Sequence, residues 1–195
     1  MFRSSKKLLC CKIIFDNLYQ MNKGERTLIV VKPDGIVKKK VGEIIKRIEE
    51  GGLDMVGAKF LKTDKDMIEK HYTLDPEWIE KVGKKAISSY EKKGLKPPSN
   101  DAKKIGQTVL KNLQKYLTEG PVFAAIFGGE NAVARVREIC GGTEPVTAGK
   151  GTIRGDYSDD SYQKADQEGR ALRNLIHASG SPEEAEKEIE LWFHN

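Results

Sequence analysis

His177 stands out among the three histidines of the 195-residue chain because of its neighbours. It ends a short apolar segment, residues 174–177 (NLIH), and is followed directly by an Ala-Ser-Gly tripeptide. An imidazole has an ordinary pKa of about 6.5, so it is largely neutral near pH 7 and can act as a nucleophile. His71 lies in a short helical segment and His194 is penultimate, and a lone histidine is more often structural or solvated. His177 is therefore the candidate reactive residue.

Glu188 is a candidate partner for this imidazole. On a helical wheel it lies beside Trp192 at the edge of an apolar stripe, whereas Glu183, Glu186 and Glu190 point away. A half-buried carboxylate there could hold one imidazole nitrogen and select the tautomer. The alternative is an ordinary solvated helix residue.

Residues 143–157 form a polar segment that could bind phosphate. It supplies Thr143, Thr152 and Arg154 amid four glycines, counting Gly142 just before it. Small residues let backbone N–H groups approach a phosphate closely. The chain has neither a P-loop nor a dinucleotide fingerprint nor the protein-kinase signature set, so nucleotide chemistry would need a different cradle.

The first half of the chain predicts alternating strands and helices around these residues. Residues 27–32 form a continuous apolar strand, closed by a turn at 33–35 (PDG). Apolar residues at helical spacing predict a helix over 41–48, which Gly51-Gly52 ends. A strand at 53–61 and a short helix at 64–72 follow.

The second half continues this alternation after a Lys-rich helical hairpin at 76–119. A strand at 121–127 and a helix over 133–140 precede the polar segment, and a strand at 174–177 carries His177. Ser181, with Pro at the next position and Glu184 at the third, predicts a capping box that begins the last helix. Four strands with helices for one face indicate a two-layer α+β sandwich.

Charge is distributed unevenly. The net charge is +5, from 34 Lys and Arg against 29 Asp and Glu. Residues 1–24 hold five basic residues and one acidic residue. Residues 76–119 hold ten basic and five acidic residues, and residues 120–195 hold eight basic and thirteen acidic residues. A polyanion-binding protein more often spreads basic residues over its whole fold, so nucleic-acid binding through the hairpin is the weaker alternative. A hydrophobic content of 38% supports a single folded domain rather than a disordered chain.

The N-terminal segment and the cysteines bear on the start of the domain and on its cellular location. Residues 1–20 have a basic front and a short apolar stretch without a signal-cleavage pattern, and we interpret them as a leader that is not translated, with Met21 as the start. A disordered basic tail is the alternative. No apolar run is long enough to cross a bilayer, and three cysteines fit neither a disulfide framework nor a zinc site. We expect a soluble cytoplasmic protein with one domain over 21–195.

Several motifs together resemble nucleoside diphosphate kinases. They occur in order over nearly all of residues 25–193, and they are ERT at 25–27, KPDG at 32–35, VGEII at 41–45, HY at 71–72, GTIRGD at 151–156, NLIHAS at 174–179 and EKEI at 186–189. The resemblance implies a ferredoxin-like fold with a four-stranded antiparallel sheet. It also implies transfer of the γ-phosphate of a nucleoside triphosphate to a nucleoside diphosphate, by a ping-pong reaction through a phosphohistidine.

The resemblance assigns roles by position. The phosphorylated residue would be His177, supported by Glu188, with Ser179 beside it. The residues that would contact phosphates or sugar are Lys32, Tyr72, Arg137, Thr143, Arg154 and Asn174. Three of these are cations, as phosphoryl transfer requires, because its transition state spreads charge over the phosphoryl oxygens. Mg²⁺ would be the cofactor, held mainly by the nucleotide phosphates and not by the chain.

The chain departs from the family pattern in two insertions, at about 76–119 and 158–172. We expect the first to cover the nucleotide cleft or a subunit interface, with Trp78 as the residue that stacks on the base. In the second, Asp159 and Asp160 could be metal ligands, but a solvated loop is the simpler interpretation. The resemblance implies a homo-oligomer, with a hexamer favoured over a tetramer or dimer. The chain ends before a C-terminal segment that is common in the family and often touches a neighbouring subunit, so this preference for a hexamer is small.

A non-catalytic nucleotide-binding or interaction module on the same fold is the main alternative to an active enzyme. The intact set of site residues argues against it, and nucleic acid is not expected as a partner.

Overall fold

The computed structural model describes residues 24–92, 94 and 96–194, so the leader and the proposed start at Met21 lie outside it. The strands of the described chain are β1 (Glu25–Val31), β2 (Asp54–Leu61), β3 (Val122–Gly129) and β4 (Ile176–Ala178). They form one sheet in the order β2-β3-β1-β4, and all neighbouring strands are antiparallel. The predicted α+β fold with a four-stranded antiparallel sheet is confirmed.

Helices connect these strands. They are α1 (Pro33–Val37), α2 (Val41–Glu50), α3 (Lys65–Tyr72), α4 (Trp78–Lys92), α5 (Ala102–Thr118), α6 (Ala132–Cys140), α7 (Ile153–Tyr157), α8 (Tyr162–Gln167) and α9 (Pro182–Phe193), with a 3₁₀ turn at Pro145–Thr147. Across the described residues, none of them has the length and apolar character needed to span a membrane.

Both faces of the sheet are covered by helices. Successive residues of a strand point to opposite faces, and β1 is buried on both sides. Ile29 and Val31 belong to a core with α2 and α6, whereas Leu28 and Val30 pack with residues of α3, α5 and α9. The prediction of helices on one face was therefore incomplete, and the second layer explains why β1 reads as a continuous apolar run.

Three segments predicted as turns or loops contain short helices. Residues 33–35 were predicted as a turn but begin α1, with Pro33 at its first position, where a missing N–H has no consequence. In the segment 143–157, Thr152 accepts a hydrogen bond from the Gly155 N–H and thereby caps α7. Helix α8 lies in the second proposed insertion. These helices of five or six residues are too short to leave a periodic apolar pattern.

The predicted hairpin is formed by α4 and α5, which pack closely against each other. A Cβ added to Gly83 would lie 1.8 Å from the carbonyl oxygen of Ala102, and one added to Gly106 would lie 1.9 Å from that of Ile79. Glycine at these two positions therefore permits backbone contact between the helices. Asp101 caps α5 by accepting the Lys104 N–H at 3.2 Å.

Candidate active site

A cavity of about 640 Å³ collects most of the predicted site residues. The predicted residues that line it are Lys32, Tyr72, Arg137, Thr143, Arg154, Asn174 and His177. Trp78 and other residues of the α4–α5 hairpin line the same space. A cavity of this size suits a small organic ligand such as a nucleotide.

Glu188 and Ser179 lie behind His177. The Nε2 atom of His177 is 2.8 Å from one carboxylate oxygen of Glu188, and the other oxygen accepts a hydrogen bond of 2.6 Å from the Ser179 hydroxyl. The same hydroxyl oxygen accepts the Leu28 N–H from β1 at 3.2 Å. Because Glu188 is only 2% exposed, these contacts hold its carboxylate in one orientation toward the imidazole.

The protonation states follow from burial. Burial lowers the pKa of His177 to about 3, with a further contribution from the positive charge of Lys32. Burial also raises the pKa of Glu188, and the interaction with His71 opposes that rise. His177 is therefore a neutral imidazole with an available lone pair at neutral pH.

His71 is a neighbour of this pair that the sequence argument left as structural or solvated. Its ring packs edge-on against the His177 ring, with the ring centroids 4.5 Å apart. Its Nδ1 accepts a hydrogen bond of 3.2 Å from the indole N–H of Trp192. That nitrogen is also 3.5 Å from Glu188, and burial lowers the pKa of His71 to about 3. His71 follows the buried Ile68 by three positions on α3, and this helical spacing is the signal that could have identified it as inward-facing.

Lys32 is linked to the polar segment 143–157 through Asn174. Its ammonium donates to the Asn174 side-chain oxygen at 2.7 Å, and the Asn174 amide donates to the carbonyl of Thr143 at 3.0 Å. Lys32 is 5% exposed, and burial, followed by the charge of Arg154, lowers its pKa to about 7.

Arg154 on α7 is held by the backbone. Its two Nη atoms donate to the carbonyls of Gly141 and Ile176, each at 2.8 Å. Its Nε is buried and has no hydrogen-bond partner within the described part of the chain. Arg137 on α6 is exposed and lines the cavity. Both guanidinium groups are therefore placed at the cavity that His177 lines.

The turn before His177 depends on contacts that sequence reasoning missed. Leu175 has a φ of 69°, which is unfavourable for a branched side chain, and the Ile176 N–H closes a three-residue turn onto the Asn174 carbonyl at 2.8 Å. Asp34 accepts the Leu175 N–H at 3.1 Å and also accepts the hydroxyl of Tyr116. Since no local pattern encodes these distant contacts, only the folded chain reveals them.

The expectation of a solvated loop for Asp160 was wrong. Asp160 is 5% exposed and accepts hydrogen bonds from both Nη atoms of Arg170, at 2.6 and 2.8 Å. It also accepts the Arg173 N–H at 2.7 Å. This carboxylate therefore serves an ion pair rather than a metal, whereas Asp159 is exposed.

Proteins of known family match this chain over most of its length. The family model for nucleoside diphosphate kinase matches residues 25–85 and 100–195. A nucleoside diphosphate kinase from Pyrobaculum aerophilum is 42% identical over 173 residues, covering 87% of this chain and 94% of the relative. A crystal structure of an NDP kinase from the same organism has a TM-score of 0.83 at 41% identity and covers 87% of this chain and 96% of the other.

A second solved structure is a transition state mimic of the Borrelia burgdorferi nucleoside-diphosphate kinase with bound vanadate and ADP. It has a TM-score of 0.70 at 33% identity and covers 87% of this chain and 86% of the other. With a family match over most of its length and relatives above 30% identity, the chain belongs to the nucleoside diphosphate kinase family.

Proposed function

We propose that His177 carries the phosphoryl group in the phosphotransfer reaction of this nucleoside diphosphate kinase. The observation that supports this role best is the pairing of His177, a cavity-lining residue, with the buried Glu188 at 2.8 Å. Among the described residues Nε2 of His177 is buried and makes no hydrogen bond, although Glu188 lies 2.8 Å away. In the proposed reaction the Nε2–H turns to that carboxylate, which leaves the lone pair on Nδ1.

In the first half-reaction, Nδ1 attacks the γ-phosphorus of a nucleoside triphosphate. The bond from that phosphorus to the β–γ bridging oxygen breaks, and the nucleoside diphosphate leaves with the electron pair. In the second half-reaction, a terminal phosphate oxygen of an acceptor diphosphate attacks the phosphohistidine and restores the neutral imidazole. Glu188 stabilises the positive charge that the ring acquires in the transition state.

The cavity cations support this chemistry. Lys32, Arg137 and Arg154 all line the cavity and would neutralise phosphoryl oxygens. Tyr72, Thr143 and Asn174 would orient the phosphates or sugar. The relative from Borrelia burgdorferi that binds vanadate and ADP supports a nucleotide at this site.

Mg²⁺ would enter with the nucleotide. It prefers carboxylate, phosphate and water oxygens, but among the described residues the cavity is lined by six basic side chains and one acidic one, Asp166. The nearest group of metal-binding side chains is His71, His177 and Glu188, and the Trp192 N–H already occupies the Nδ1 of His71. The donor set therefore suits an ion held by the nucleotide phosphates, where it would neutralise developing charge.

The hairpin would cover the base end of the nucleotide. Trp78 lies in the cavity wall and packs on Tyr72, with ring centroids 4.9 Å apart, and we propose that it stacks on the base. Trp78→Ala should raise KM for every nucleotide several-fold, and Trp78→Phe should restore most of the affinity. An unchanged KM in the Ala variant would remove Trp78 from the base site.

We further propose a cytoplasmic homo-oligomer, with a hexamer favoured over a tetramer or dimer. The edge strand β2 leaves Phe60 64% exposed and Met55 41% exposed, and apolar side chains on an open edge favour association with another chain. Sedimentation equilibrium of the wild type and of Phe60→Lys tests this. A monomeric wild type would exclude the oligomer.

The catalytic assignment is tested with γ-labelled ATP and Mg²⁺. We expect an acid-labile phosphoprotein whose label is removed by GDP, and no label on His177→Ala. His194→Ala is the matched control, because His194 lies outside the cavity lining, and it should be labelled normally. Undiminished label on His177→Ala would refute the assignment.

A further inference from the structure

Two lysines of the α4–α5 hairpin face the nucleotide cavity without an anionic partner. Lys85 on α4 and Lys104 on α5 both line the cavity and are exposed. Within the described residues neither makes an ion pair, whereas Lys84, next to Lys85, lies 2.6 Å from Glu80. The two lysines therefore add exposed positive charge without an ion-pair partner to the cavity lining.

The cavity lining as a whole has more basic than acidic side chains. In the described chain its lining contains six basic side chains, Lys32, Lys85, Lys104, Arg137, Arg154 and Arg170, against the single acidic Asp166. Arg170 is ion-paired with Asp160 and Glu168, so the other five carry the excess of positive charge. The hairpin also contributes apolar side chains to the lining, Val82, Ala86, Val109 and Leu113, beside polar ones such as Ser89, Thr108 and Asn112. A cleft with charge of one sign and walls of low dielectric constant focuses the electric field and speeds the entry of oppositely charged ligands.

We propose that Lys85 and Lys104 steer nucleoside di- and triphosphates into the active site. Their positive charge attracts the polyphosphate during its approach to the cavity, so they act on the rate of association and not on the chemical step. This inference rests on the proposed function only in taking the nucleotide polyphosphate as the ligand of the cavity.

The matched control lies one residue away on each helix. Lys84 and Lys103 belong to the same two helices but are not part of the cavity lining. Both act on Glu80, whose pKa is lowered by the hydrogen bond from Lys84 and by the charge of Lys103. The double variants Lys85→Gln/Lys104→Gln and Lys84→Gln/Lys103→Gln therefore remove the same two charges from the same hairpin at cavity-facing and non-facing positions.

The measurement is the association rate constant of a fluorescent N-methylanthraniloyl ADP, followed by stopped flow at several salt concentrations. At about 10 mM ionic strength, where screening acts over about 30 Å, we expect Lys85→Gln/Lys104→Gln to lower this constant about 3- to 10-fold. The control pair should lower it less than about twofold. The difference should vanish near 1 M salt, where screening acts over about 3 Å, and the dissociation rate constant should not change. The association rate constant of the corresponding AMP analogue should decrease less in Lys85→Gln/Lys104→Gln, because AMP carries less negative charge than ADP.

An unchanged association rate, an equal loss in the control pair, or a loss that persists in high salt would overturn the proposal. The third result would indicate direct contact with bound nucleotide. Single-turnover labelling of His177 at saturating ATP should keep its rate in both double variants. If the wild type formed no phosphohistidine, the catalytic assignment would fail while the association measurement would still decide the role of the lysines.

Discussion

Replacing Glu188 by Gln tests the part of the site on which the phosphohistidine depends. Gln has nearly the same shape, so its oxygen can take the position of the Glu188 oxygen that lies 2.8 Å from Nε2 of His177. Its amide would donate to the oxygen of Ser179, whose hydroxyl can turn to the Leu28 carbonyl 3.3 Å away. The substitution therefore removes a charge while the positions facing His177 and Ser179 keep a polar partner.

The expected loss follows from the strength of that contact. A hydrogen bond to a charged group contributes about 1.5–3 kcal/mol, and a neutral one about 0.5–1.5 kcal/mol. The difference, about 1–1.5 kcal/mol, applies in the transition state, where the imidazole becomes positive. It corresponds to a decrease of about 5- to 13-fold in the rate of His177 phosphorylation. Since Glu188 is 2% exposed, solvent screening does not reduce this figure much.

The assay is rapid-quench formation of labelled phosphoenzyme at saturating ATP, measured as a function of pH. Burial raises the pKa of Glu188, so the wild-type rate should fall as the pH decreases through that raised value. The Gln variant cannot be protonated and should lack this acidic limb. His177 does not produce it, because burial keeps the pKa of His177 near 3.

Glu183→Gln is the matched control, because Glu183 is exposed on the same helix and does not line the cavity. It should retain the wild-type rate and pH profile. If Glu188→Gln phosphorylated His177 within twofold of the wild-type rate and kept the acidic limb, the charge of Glu188 would have no part in the reaction.

Three further outcomes are expected. Because the pKa of Lys32 is about 7, its positive charge is lost as the pH rises through that value. KM for ATP should therefore increase between pH 6 and 8 in steady-state kinetics. Lys32→Arg stays charged throughout this range, so its KM should depend less on pH. Tyr116→Phe leaves an oxygen of Asp34 without its hydroxyl donor and should destabilise the protein by about 1–3 kcal/mol in urea unfolding, while an unchanged midpoint would contradict that contact. Phe127 is fully buried, so Phe127→Ala should lower the free energy of unfolding in urea by about 3–5 kcal/mol. Val146 is 55% exposed, and Val146→Ala should lower it by less than about 0.5 kcal/mol.

The elements that sequence predicted well are those whose burial leaves a regular pattern. Helix α2 was predicted from residues 41–48 and spans Val41–Glu50, because its apolar residues recur on one face and Gly51-Gly52 follows. The start of α9 was also predicted, since Ser181 accepts the Glu184 N–H at 3.2 Å. The other half of the predicted capping box differs: the Glu184 carboxylate is hydrogen-bonded to the Gly180 backbone and to Glu188.

The site residues could be named from motifs, but their arrangement could not be derived from them. Lys32, Arg154 and His177 are far apart along the chain and meet in one cavity because α7 and the ends of β1 and β4 lie together. His71 was missed because its partners are Trp192 on α9 and His177 on β4, which are more than 100 residues away. A side chain's role depends on such distant neighbours, and local periodicity reports only whether it faces inward.

Sequence alone determined the alternation of strands and helices, the family motifs and the uneven distribution of charge. Tertiary structure decided which face each helix covers, how the turn at Leu175 is held, and which charges line the cavity. Residues 120–195 are net negative, yet they supply Arg137, Arg154 and Arg170 to a predominantly basic cavity. A sum of charges contains no distances, whereas the energy of an ion in a cavity depends on the distance to each charge and on the medium between them.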